Sequence, residues 1–100
     1  MAAWYAGRGY AIVDRNWRCR EGELDLVVRR GRLLVFCEVK TRTSTAFGAP
    51  IEAVTVLKQQ RLRTLARRWL AAHHGRAPSG IRFDVASVLA GEIEVTENAF

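Results

Sequence analysis

Apolar positions along this chain recur with two different periods. Short apolar or alternating runs at Tyr10–Trp17, Leu24–Val28, Leu33–Val39, Ile81–Leu89 and Glu92–Thr96 are separated by Gly, Asn or Ser, and they predict five strands. Gly31 and the Ala90-Gly91 pair mark the turns of two hairpins, the first spanning Gly22 to Lys40. Between the hairpins, Leu62, Leu65, Ala66, Trp69 and Leu70 form one stripe at about 100° per residue, with Arg61, Arg63, Thr64, Arg67 and Arg68 outside it. This predicts an amphipathic helix from Ile51 to His74, opened by Pro50, whose stripe faces the core. Met1 to Gly9 reads as the last turns of a helix closed by Gly7 or Gly9. Arg15 to Arg20 reads as a basic and aromatic loop, and Thr41 to Pro50 as a polar loop beyond the third strand.

The hairpin from Gly22 to Lys40 carries the candidate chemistry. Strand side chains alternate between faces, so Glu23, Asp25 and Val27 are expected on one face, and Leu34, Phe36, Glu38 and Lys40 on one face of the partner strand. Glu38 follows five consecutive apolar residues, Leu33 to Cys37, so a carboxylate and a lysine are held against a buried face. Two carboxylates can hold a hard divalent cation such as Mg²⁺, which lowers the pKa of bound water and polarises a phosphoryl oxygen. A lysine two residues beyond the second carboxylate points the same way, and can orient that water and offset charge on the phosphorane. The same residues also suit a hairpin end stapled by a cross-strand ion pair.

Charge and composition narrow the partners. The net charge of +6 in 100 residues favours a polyanion, nucleic acid ahead of membrane. A content of 49% hydrophobic and 26% charged residues is that of one globular domain, expected over residues 1–100. Cys19 and Cys37 lack the spacing of a zinc site. No secretory signal and no run of eighteen apolar residues is present, so a cytoplasmic protein with free thiols is expected. Arg15-Asn16-Trp17-Arg18-Cys19-Arg20 suits phosphate contact and base stacking, and equally a solvated loop with Trp17 packed inward. Lys58 and Gln59, at the stripe side of the helix start, are placed to reach a phosphate, or to lie along the surface. Arg82 and Asp84 read as a structural ion pair, and His73 and His74 as structural residues at a helix end.

The spaced Asp25 and Glu38-x-Lys40 resemble the signature of restriction-endonuclease-like nucleases, with Gly22-Glu23-Leu24-Asp25 in place of its Pro-Asp. The whole chain resembles the YraN-like family of uncharacterised bacterial proteins, placed near the Holliday-junction resolvases. The resemblance is carried by Gly9-Tyr10, Arg15-Asn16-Trp17-Arg18, Gly22-Glu23-Leu24-Asp25-Leu26, Val35-Phe36-Cys37-Glu38-Val39-Lys40-Thr41-Arg42, Phe47-Gly48, Lys58-Gln59, Arg82-Phe83-Asp84-Val85 and Asn98-Ala99-Phe100. It implies an α/β (α+β) fold with a restriction-endonuclease-like core, a central mixed five-stranded sheet flanked by helices. It also implies a DNA endonuclease requiring Mg²⁺ or Mn²⁺ and acting on branched or structured DNA. In that reading Asp25 and Glu38 are metal ligands, Lys40 positions water, Glu23 is an accessory acid, and Arg18, Arg42, Lys58 and Gln59 hold phosphates. Resolvase-like proteins are commonly dimers, so a homodimer is a further expectation, although no dimer surface is readable in the sequence. Related chains open on a longer first helix bearing a glutamate, and resolvases use such a carboxylate in the metal site. Met1 falls inside that helix, so on this resemblance the first helix looks truncated: either the chain start is truncated, or Glu23 substitutes, or the metal site is incomplete. The alternative is a non-catalytic nucleic-acid-binding or adaptor protein that keeps the nuclease fold.

Overall fold

The computed structural model describes residues 1–42, 54–73, 75 and 77–100. The expectations for Thr43 to Pro50, for a helix start at Pro50 and Ile51, and for His74 lie outside the described residues, as does the side chain of Arg42. The chain runs α1 (Ala2–Ala6), β1 (Ala11–Cys19), β2 (Gly22–Arg30), β3 (Leu33–Arg42), α2 (Val56–Ala72), β4 (Gly80–Leu89) and β5 (Glu92–Thr96). The strands form one mixed sheet in sequence order, β1-β2-β3-β4-β5. Every neighbouring pair is antiparallel except β3 and β4, which run parallel from Leu33 opposite Gly80 to Arg42 opposite Leu89. A parallel pair needs a crossover connection, and α2 lies in it. The result is an α+β fold with helices flanking a five-stranded mixed sheet, consistent with a restriction-endonuclease-like core.

Two apolar clusters sandwich the sheet. On one face Leu24, Val27, Leu34, Phe36 and Val85 pack under the α2 stripe of Leu62, Leu65, Ala66 and Trp69. On the other, Leu26, Val28, Val35, Cys37 and Ala86 pack with Tyr5 of α1 and with Tyr10. The predicted stripe of α2 is thus its buried face, while Arg61, Arg63, Arg67 and Arg68 are exposed. The helix begins later than its periodicity predicts. Thr55 caps it, its side-chain oxygen accepting the Lys58 N–H at 3.3 Å, which leaves Val54 in front of the helix rather than inside it.

The basic stretch at Arg15 to Cys19 is strand, not loop. Hairpin pairing continues through Arg18 opposite Glu23 and Cys19 opposite Gly22, so only Arg20 and Glu21 remain for the turn. An edge strand exposes much of its surface and tolerates charge, which hides it from a reading based on apolar runs. Likewise, Thr41 and Arg42 extend β3 beyond its apolar residues because they pair with Val88 and Leu89. The hairpin at Ala90-Gly91 forms as predicted, with both residues at positive φ, 50° and 82°.

Alternation in β2 slips at Asp25. Leu24 packs in the α2 cluster and Leu26 in the α1 cluster, although residues two apart on a regular strand share a face. On β1, Asn16, between the pairs Arg15–Leu26 and Trp17–Leu24, adopts φ 49°, a conformation that asparagine tolerates. The expected common face for Glu23, Asp25 and Val27 is therefore lost, since Val27 shares its cluster with Leu24.

Candidate functional site

The apolar run of β3 ends in two charged residues on the α2 side. Glu38 and Lys40 continue the alternation of Leu34 and Phe36, and their side chains meet, Nζ to Oε1, at 3.0 Å. Both remain largely covered, with 18% and 28% of the side chain exposed, so the pair is not an ordinary solvated bridge. Asp25 joins them from β2. Its Oδ2 accepts the backbone N–H of Val39, the residue between Glu38 and Lys40, at 2.8 Å. Burial raises the Asp25 pKa above the ordinary carboxylate value; the Val39 N–H opposes this, Glu38 and Glu23 raise it further, and Lys40 lowers it. Carboxylates here outnumber the cation that compensates them.

Glu38 and Lys40 border a cleft of about 150 Å³ whose walls also include Glu23, Val54, Lys58, Arg61, Leu62 and Leu65. Its floor depends on Gly22, where φ is 144° and a Cβ would lie 3.7 Å from Leu65 Cδ1. The first turns of α2 supply the far wall, with Lys58 and Arg61 three residues apart on one helix face. Hard oxygen donors on one side and two cations on the other suit an anionic substrate carrying a hard cation between them.

Five of the eight candidate residues converge. Glu23, Glu38, Lys40 and Lys58 line the cleft, and Asp25 is tied to its wall through Val39. Arg18 is exposed on the adjoining edge strand, its Nε donating to Glu23 at 2.8 Å, so it reaches the cleft only through that carboxylate. Gln59 turns to the helix start, donating to the Val54 carbonyl at 3.3 Å. Arg42 extends β3, and its side chain lies outside the described residues. Arg61 is the residue that sequence reasoning passed over. The signal was its position one helical turn after Lys58, on the side where the apolar stripe begins.

Among the described residues, no three His, Cys, Asp or Glu side chains stand together as a ready-made metal cage. The donor set nevertheless fits Mg²⁺ or Mn²⁺, because Mg²⁺ is ordinarily held by one or two carboxylates, with waters and substrate phosphate completing its shell. Asp25 and Glu38 would supply those two, and a cation would relieve the repulsion by which Glu38 raises the Asp25 pKa.

A second group of charges lies on the α1 side. Asp84, fully buried, accepts from Tyr5 Oη at 2.6 Å, from Arg82 Nε and Nη2 at 2.8 and 2.9 Å, and from the Asn98 N–H at 3.0 Å. Arg82 also donates to Tyr10 Oη at 3.1 Å, and the Arg82–Asp84 pair has the structural character that the sequence suggested. His73 stacks on Trp69 with centroids 4.0 Å apart and lies 3.4 Å from Asp14. Among the described residues, no helix is long and apolar enough to cross a membrane.

Residues 1–88 match a family model described as Uncharacterised protein family UPF0102. Similar chains include a UPF0102 protein of Frankia alni, 64% identical over 83 residues, which are 83% of this chain and 68% of that one. Another, from Beutenbergia cavernae, is 59% identical over 86 residues, covering 86% of this chain and 72% of its own. A third, from Streptomyces griseus, is 51% identical over 96 residues, covering 94% and 81%.

Proposed function

The chain belongs to the uncharacterised protein family UPF0102, as its YraN-like features suggested, and from the chemistry at its cleft we propose that it is a metal-dependent endonuclease hydrolysing phosphodiester bonds in DNA, including branched or structured DNA. The observation that carries this reading is the Glu38–Lys40 pair on a cleft that also presents Lys58 and Arg61, with Asp25 bound to the intervening Val39 N–H.

Asp25 and Glu38 would hold Mg²⁺ or Mn²⁺. Bound there, the cation supplies a polarised phosphoryl oxygen and a water of lowered pKa. Lys40, held within 3.0 Å of Glu38, orients the attacking water and places positive charge against the phosphorane as it forms. Lys58 and Arg61 hold the flanking phosphates from α2, giving affinity that falls with salt and carries little base preference. Glu23, within reach of Asp25 electrostatically, acts as the accessory acid and keeps Arg18 beside the cleft.

The non-catalytic reading has one observation in its favour, the lack of a third ligand beside Asp25 and Glu38 among the described residues. Incubation with labelled four-way junction, flap and linear DNA in Mg²⁺ or Mn²⁺ separates the two. Cleavage by the native chain, absent in Asp25→Ala and Lys40→Ala while DNA binding persists, supports the nuclease. Binding without cleavage on all three substrates favours the adaptor.

A further inference from the structure

Beyond the β1–β2 turn from the cleft lies a second depression, an open groove of about 450 Å³. Trp17, Cys19, Ala71 and Ala72 give it an apolar lining, and Arg20 and Arg68 stand at its borders. Trp17 is only partly buried, although it packs against the α2 cluster and meets His73 edge-on at 6.1 Å. Arg68 engages Glu21 at 3.0 Å, yet its side chain stays 61% exposed and a guanidinium has five N–H donors to share. Apolar and aromatic surface bordered by guanidinium groups is complementary to one chemical object above others, an unstacked nucleotide, with its base on the wall and its phosphate at the rim.

Placement and charge support that occupant. The groove and the cleft flank the same turn, Cys19, Arg20 and Glu21 belonging to one and Gly22 and Glu23 to the other. Both are walled by α2, where Arg61 and Arg68 are seven residues apart, about 10 Å along the axis. At the duplex rise of about 3.4 Å per phosphate of one strand that is about three nucleotides, and fewer for an unpaired, more extended strand. The exposed acids Glu92, Glu94 and Glu97 lie on or just beyond β5, at the opposite edge of the sheet, so a polyanion is drawn to the β1 and α2 side.

We infer that this groove receives an unpaired base of the strand that crosses the cleft, so that the protein prefers nucleic acid whose strand is unpaired within about three nucleotides of the bound phosphate. In an intact duplex each base is stacked and paired, and none can enter. The inference rests on the nuclease reading for the orientation of the strand, but its test does not require cleavage.

The chain of residues 1–100, without divalent cation, is titrated with a fluorescein-labelled forked DNA carrying 2-aminopurine in the single-stranded arm, and with a blunt duplex of equal length. The native chain should bind the fork more tightly and change the 2-aminopurine emission. Ala71→Gln, a neutral change at an exposed helix position, should weaken fork binding about tenfold, within the range for losing one stacked base, and leave duplex binding within about twofold. Trp17→Leu should do the same and abolish the 2-aminopurine change. Equal affinity of the native chain for fork and duplex, or losses in Ala71→Gln that are equal on both, overturns the groove assignment. Selective fork binding without cleavage in Mg²⁺ retains the groove and removes the nuclease, whereas cleavage without fork preference does the reverse.

Discussion

Asp25 on β2 and Asp84 on β4 are both withdrawn from water, one on either side of β3, and the protein treats them in opposite ways. Asp84 is enclosed and has a donor for each of its needs: a phenol, two guanidinium N–H groups and a backbone N–H. Asp25 keeps partial access to water, receives the Val39 N–H, and feels Glu38 and Glu23, which raise its pKa, against Lys40, which lowers it. A fully compensated buried carboxylate is a fixture that holds α1, β4 and the C-terminal segment together. An under-compensated one near a cleft is a site waiting for positive charge.

The largest effect that separates them is on folding. Asp84→Ala leaves Arg82, the Tyr5 hydroxyl and the Asn98 N–H without their acceptor, and should lower unfolding free energy by about 3–5 kcal/mol in a urea titration. A loss below about 1 kcal/mol would break the contrast from the Asp84 side. Next comes chemistry. Lys40→Ala should lower the cleavage rate by about 10²–10³, the scale for removing one preorganised electrostatic group.

A smaller effect has the opposite sign. Asp25→Asn should stabilise the metal-free protein by at most about 1 kcal/mol at neutral pH, since partial exposure screens the repulsion that it removes. The folded-state pKa of Asp25 is raised, so the native side chain is most favourable to folding below the unfolded carboxylate pKa and loses that contribution as pH rises through its folded value. The advantage of the asparagine should therefore vanish towards about pH 3, below the ordinary aspartate pKa. Denaturant midpoints measured across that range check the sign. The smallest effect is on thiol labelling. Burial, with Tyr5 opposing and Asp84, Asp25 and Glu38 adding to it, pushes Cys37 up to about 12, so a thiol reagent at pH 8 should modify Cys19 and spare Cys37 until the chain unfolds.

Local patterns carried most of the fold and part of the site. The stripe of α2, the hairpin at Ala90-Gly91 and the bounds of β5 follow from spacing and turn chemistry. What spacing cannot carry is pairing between distant segments. Nothing in Ile81–Leu89 reveals that it lies parallel to β3, and only the family resemblance implied a mixed sheet. The Asp84 network was half visible, because Arg82 is two residues away while Tyr5 and Tyr10 are more than seventy. At the cleft, Glu38 and Lys40 were legible as charges ending an apolar run. The slip at Asp25 was not, since it depends on which face each neighbour packs, as Leu24 and Leu26 show.

The parallel pairing of β3 with β4 also sets the order in which the molecule should assemble. Successive hairpins bring β1, β2 and β3 together through contacts close in sequence, whereas β4 docks only after the chain has closed a long loop through α2. Asp25 and Glu38 would meet in the early meander, and Lys58 and Arg61 would arrive with the crossover. The expected φ-values are accordingly high for Val27→Ala and Val35→Ala and near zero for Leu65→Ala and Val85→Ala, four sites that are all buried in the native state. On that route the carboxylate half of the cleft exists before its cationic wall, and the late closure of α2 becomes the slow step of folding.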